Sequence, residues 1–146
     1  MKRFVIRAAS MAVSALVTIA VLAAAPSTSA SISVSGAFSR PANDMGAVFL
    51  TIVNAGSSND ALDGARSDVA DSTEVHETYQ VAGGDAMRHI PSLAIPAGGT
   101  VAFKSGGYHV MLIGLKHDLR VGDRFTIGLH FAHAGWVDVP VVVKSF

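Results

Sequence analysis

The sequence predicts an all-β fold, an antiparallel sandwich, on three observations. Beyond residue 30, short runs rich in Val, Ile, Phe and Thr recur between clusters of Gly, Pro, Asn and Asp. No segment repeats apolar residues at helical spacing over a useful length. The turn clusters follow one another closely, as in chains that reverse direction many times within one core. No internal repeat, low-complexity tail or linker interrupts the pattern, so a single domain is expected over residues 31–146.

Residues 1–30 are set apart by composition. Lys2, Arg3 and Arg7 open the chain, residues 8–25 are almost wholly small and apolar, and Pro26-Ser27-Thr28-Ser29-Ala30 closes the stretch. This is the pattern of a secretory signal peptide, with cleavage expected after Ala30. A retained anchor is the alternative, because the apolar stretch approaches bilayer-spanning length; with cleavage, no stable membrane insertion is expected. Removal of the three basic residues leaves eight Lys and Arg against eleven Asp and Glu, a net charge of −3. No basic patch remains, so nucleic acid and anionic lipid are excluded as expected partners. The chain has no cysteine. That excludes a thiolate nucleophile, a cysteine zinc site and a blue-copper centre, and leaves His, Met, carboxylate or backbone to hold any metal.

The predicted strands run in order. Ile32, Val34 and Ala37 alternate with Ser and Gly in a first, edge-like strand, broken at Arg40-Pro41-Ala42-Asn43-Asp44. Residues 47–54 form a strong second strand, and residues 61–67 a weaker third. Residues 73–80 and 86–90 flank the turn Val81-Ala82-Gly83-Gly84-Asp85 and read as a hairpin. Ile95-Pro96-Ala97-Gly98-Gly99 turns again before a strand at 100–104. Residues 106–116 are the most apolar run outside the signal segment, bounded by Gly106-Gly107 and by Gly114 and Lys116, and read as a buried strand. Two last strands, 124–131 and 136–144, are joined by Ala132-His133-Ala134-Gly135.

The buried strand carries the most informative residues. His109 and Met111 are two apart and point to one face, while Val110 and Leu112 point to the other. A core His beside a core Met would look the same. The pair gains weight from His76, in the first strand of the hairpin, and Met87, just past its turn. Chain reversal can bring those two together, although the sequence leaves the register open. Two imidazoles and two thioethers around one point would suit Cu(I). Thioether sulfur is soft and uncharged, hard cations avoid it, and neither donor type need carry charge.

These residues also resemble a known family. The spacing His76-x₁₀-Met87-x₂₁-His109-x-Met111 is similar to the signature of the periplasmic copper chaperones known as PCu(A)C. Val75-His76-Glu77-Thr78, Ile95-Pro96-Ala97-Gly98-Gly99 and the run from Gly106 to Lys116 carry the likeness along the chain from Ile32 onward. The resemblance implies a cupredoxin-like sandwich of Greek-key type, with His76, Met87, His109 and Met111 binding Cu(I). It also implies a periplasmic protein without catalytic activity, passing copper to an oxidase subunit or to a thiol-bearing assembly partner. Some family members carry a Met close behind the first His and a Met/His-rich tail. Here Glu77 follows His76 and the sequence ends at Phe146, so a second, tail-borne site is not expected.

The other readings rest on less. No Gly-x-Ser-x-Gly elbow and no His-Glu-x-x-His zinc motif occurs, which weighs against an enzyme. An immunoglobulin-like exported interaction module is the alternative if His and Met are incidental. His89 shares the expected face of Met87 and is a secondary candidate. His117 is expected in solvent, His130 and His133 are assigned structural roles, and Trp136 is assigned to the core or an edge; Met45, after the turn near Pro41, is either a loop residue near the site or merely packed, and stays off the ligand set.

Overall fold

The computed structural model describes residues 31–145, so the expected signal peptide lies outside the described residues. Ten strands occur in order: β1 (Ile32–Ser39), β2 (Met45–Asn54), β3 (Asp60–Ser67), β4 (Ala70–Val81) and β5 (Gly84–His89), then β6 (Leu93–Ile95), β7 (Thr100–Ala102), β8 (Tyr108–Leu115), β9 (Arg124–Phe131) and β10 (Gly135–Val143). They form one continuous sheet in the order β5-β4-β8-β2-β1-β10-β9-β3-β6, with β7 also pairing with β2. Alternation drives the strands to bury one face. Val48, Leu50 and Ile52 of β2 and Val110 and Leu112 of β8 join Ile127, Leu129 and Phe131 of β9 and Val139, Val141 and Val143 of β10 in a single cluster. The two halves of the sheet therefore pack face to face as the layers of a sandwich, as predicted. Each fully buried Leu, Ile or Phe contributes on the order of 1.5–3 kcal/mol.

β1 joins the layers. Ile32 to Ser35 pair antiparallel with β2, the register then shifts, and Phe38 and Ser39 pair parallel with Val142 and Val143 of β10. Gly36 lies in the irregularity at φ 65°, a conformation that glycine adopts without a steric penalty. One expectation is corrected here. The first strand is not an edge, because its second neighbour is β10, and β1 and β10 run parallel within the otherwise antiparallel pairing. Composition cannot reveal a partner about a hundred residues distant. β6 was also missed: three residues are too few to display an alternation, and Ile95 reads as part of the following turn.

Two buried polar side chains organise one end of the sandwich. Asn54 donates from Nδ2 to the carbonyls of Ser58 at 2.9 Å and Ile95 at 3.1 Å, and its Oδ1 accepts from the Gly56 amide at 3.0 Å. The Asp60 carboxylate accepts from the amides of Ala61 at 2.8 Å, His133 at 2.9 Å and Ala134 at 3.0 Å. It thereby ties the β9–β10 turn to the start of β3.

Candidate metal site

The outward face of the layer β5-β4-β8-β2 collects the predicted donors. On β8, Val110 and Leu112 are completely buried on the core side, which turns His109 and Met111 to the outer side. On β4, Val75 is buried, so Glu74, His76 and Thr78 share that outer face. The register was the open question in the sequence, and the strand pairing answers it. His76 lies directly opposite His109 on β8 and opposite His89 on β5, while Thr78 lies opposite Met87. Met87 and His76 are thus diagonal neighbours on one face, within reach of long side chains. The hairpin that places them turns at Ala82-Gly83, and Gly83 and the first residue of β5, Gly84, are both at positive φ (100° and 142°).

A depression of about 210 Å³ opens on this face. Met87, His109 and Met111 line it, together with Met45, Ala47 and Phe49 of β2 and Thr78 of β4. His76 stands beside this group rather than on its wall. Its ring centroid is 5.9 Å from that of His109 and 6.0 Å from that of His89. His109 is only 5 % exposed although it faces outward, because the Phe49 ring (6.5 Å) and the His76 ring cover it. Met87, by contrast, is 59 % exposed. The site is an inner imidazole with a solvent-reachable thioether above it.

Hydrogen bonds decide which nitrogens are free. His109 Nδ1 lies 3.2 Å from the Gly107 carbonyl, which can only accept, so Nδ1 carries the proton and a neutral ring presents the Nε2 lone pair. Burial holds the His109 pKa below the usual histidine range; the Gly107 bond opposes this and the charge of a protonated His76 reinforces it. His76 is arranged the other way round. Its Nε2 donates to Glu74 Oε2 at 2.9 Å, and Ser72 Oγ donates to the other carboxylate oxygen at 3.2 Å. The bond from His76 is the main reason that the Glu74 carboxyl lies below its ordinary pKa. The second nitrogen of His76, Nδ1, is buried and has no hydrogen-bond partner. A buried nitrogen without a partner is costly in a finished structure and is suited to receive a ligand. Carboxylate–His pairs of this kind commonly orient an imidazole toward a metal.

Among the described residues no three His, Asp or Glu side chains converge as a metal-holding group. The neutral nitrogens and thioethers available on this face suit a soft cation of low charge.

The remaining sequence assignments divide. His89 is exposed and packs against His76. His117 is exposed, as expected. His130 bonds Asp63, and His133 Nδ1 lies 3.4 Å from Asp60, both in structural roles. Trp136 is not a core residue: it is 48 % exposed and lies against His130 (4.9 Å between centroids) and beneath the Arg66 guanidinium (4.1 Å). Glu74 was missed although legible, since it precedes His76 by two positions and must share its face. Met45, kept off the ligand set, does lie near the site, as the first residue of β2 rather than in a loop, because β2 pairs with β8.

The chain belongs to the LpqE-like family, named for lipoproteins, which it matches over residues 12–143. A protein of Leifsonia xyli subsp. xyli named as lipoprotein Lxx21020 is 38 % identical over 103 residues, covering 70 % of this chain and 62 % of that protein. The chain therefore spans less than two thirds of that relative's length. Among the described residues no helix is long and apolar enough to cross a membrane.

Among solved structures, the copper-bound PCuAC domain from PmoF2 is similar at TM-score 0.66 and 21 % identity, covering 80 % of this chain and 94 % of that one. At that identity it establishes the fold, and the cupredoxin-like architecture expected from the sequence is the one observed. The Cu(I) form of DR1885 from Deinococcus radiodurans is similar at TM-score 0.60 and 31 % identity, covering 75 % of each chain. Its copper-free form gives TM-score 0.62 and 28 % identity over 100 % of this chain and 97 % of that one.

Proposed function

We propose that this protein is an exported Cu(I) carrier, a copper chaperone without catalytic activity, holding the ion with His76, Met87, His109 and Met111. The observation that carries the reading is the convergence on one outer sheet face of Met87, His109 and Met111, with the unpartnered Nδ1 of His76 beside His109. Neutral imidazole and thioether donors favour Cu(I) over Zn²⁺, Ca²⁺ or Mg²⁺. The likeness to DR1885, solved in a Cu(I) form, supports the same ion here. A carrier must also release its cargo, and a site open to solvent at Met87 lets a recipient's ligands approach while the inner His109 still holds the ion.

The recipient in this reading belongs to cytochrome c oxidase assembly, either an oxidase subunit or a thiol-bearing copper protein, and the compartment is the periplasm. The signal-like residues 1–30 and membership of a family named for lipoproteins support export. X-ray absorption at the copper edge of the Cu(I)-loaded protein tests the ligand set. Both nitrogen and sulfur scatterers are expected, with sulfur reduced in Met87→Leu and Met111→Leu and nitrogen reduced in His76→Ala and His109→Ala. A spectrum of oxygen and nitrogen only, or one unmoved by these substitutions, contradicts the assignment. Incubation of the loaded protein with a copper-free oxidase copper domain tests delivery; copper that stays on the carrier refutes that step.

A further inference from the structure

We propose that Met45 supplies a third thioether to the bound copper ion, from the β2 side of the site. This inference rests on the Cu(I) reading above and extends its ligand set. Beyond residue 30 the sequence contains three methionines, Met45, Met87 and Met111, and all three line the same depression with His109. They reach it from three strands that are far apart in sequence, β2, β5 and β8.

Strand register places Met45 close to the predicted donors. β2 runs antiparallel to β8 with Ala47 opposite Met111 and Met45 opposite Ile113. Met45 and Met111 are therefore diagonal neighbours on the outer face, a separation that two long side chains can bridge. Ala47, the residue directly opposite Met111, is small and leaves the space between them open.

Packing alone does not account for methionine at this position. Met45 is 52 % exposed and Met87 is 59 % exposed, so neither contributes a core side chain's worth of burial. What a half-exposed methionine offers that Leu or Lys does not is a soft lone pair on a flexible stem. Neutral donors can be added without accumulating charge, so a third sulfur suits a monovalent ion. Met45 and Met87 would then form the outer sulfurs, with Met111 and the buried His109 beneath them.

The test is Met45→Leu, which keeps the apolar bulk and removes the sulfur. Wild type and variant are loaded with Cu(I) under reducing conditions, sulfur scatterers are counted by X-ray absorption, and affinity is measured against a competing Cu(I) chelator. Thermal unfolding of the copper-free proteins should coincide. The variant should show one sulfur fewer and a loss of affinity on the order of tenfold, the lower end of what disturbing a metal site's surroundings costs. An unchanged sulfur count in the variant overturns the role of Met45 while leaving the carrier reading intact. Failure of the wild type to bind Cu(I) overturns both.

Discussion

Removal of the Glu74 carboxylate should weaken copper binding without touching a predicted ligand. Glu74 holds the His76 Nε2–H at 2.9 Å and is itself held by Ser72 Oγ at 3.2 Å, and this chain of bonds fixes the ring so that Nδ1 is left with its lone pair. The two nitrogens of an imidazole diverge widely. With Nε2 directed at Glu74, Nδ1 faces away from that carboxylate, buried and without a hydrogen-bond partner. In Glu74→Ala the ring is free to rotate and to exchange tautomers, and loss of such an orienting partner typically costs 10–100-fold in metal affinity, roughly 1.4–2.7 kcal/mol. Glu74→Gln keeps an acceptor oxygen but not the charge, and should fall between wild type and Ala. The assay is competition for Cu(I) against a chelator at neutral pH. A parallel ¹⁵N measurement on the copper-free protein should show His76 losing its fixed Nε2–H tautomer in the Ala variant, while His109, held by Gly107, keeps its own. Copper binding as tight as wild type in Glu74→Ala refutes this account. Tighter binding would mean that Glu74 competes with the ion for Nε2.

Two further predictions concern the scaffold. Leu112→Ala removes a fully buried side chain on the core side of the strand that carries His109 and Met111. It should cost roughly 2–5 kcal/mol in chemical denaturation while leaving Cu(I) stoichiometry at the native level; a loss below about 1 kcal/mol would contradict the packing described. Asp60, 7 % exposed, has a pKa held below the ordinary carboxylate value: burial pushes it up, but the amides of His133, Ala61 and Ala134 outweigh that. Its stabilising contribution is present above the unfolded pKa of about 3.9 and is lost as pH falls through the lower folded pKa. Asp60→Asn should cost about 1–3 kcal/mol near neutral pH, and the gap to wild type should narrow in denaturation at acid pH. A gap that stays constant with pH would refute the assignment.

Much of the fold was legible because strands with one buried face write that face into the sequence. Val110 and Leu112 against His109 and Met111 is such a record, and the alternation placed both donors on the outer side before any register was known. The Gly83-Gly84 turn likewise announced the β4–β5 hairpin. What the sequence withheld is non-local. β1 reads as an edge because its Ser and Gly residues say nothing of a parallel partner in β10. Trp136 reads as either core or edge, and only the fold decides between them, leaving it half-exposed beneath Arg66. Met45 is the most consequential case. Its part in the depression depends on β2 pairing with β8 in one particular register, so no local pattern could mark it, whereas Glu74 was recoverable from period two alone.

Whether this outer face holds Cu(I) through imidazole and thioether is decided by titration. The protein over residues 31–146, reduced and free of metal, is titrated with Cu(I) against a calibrated chelator beside the double variant His109→Ala/Met111→Ala. The account predicts one tightly held ion in the wild type and loss of that binding in the double variant, with both proteins folded. A wild type that competes for Cu(I) no better than the double variant would contradict it.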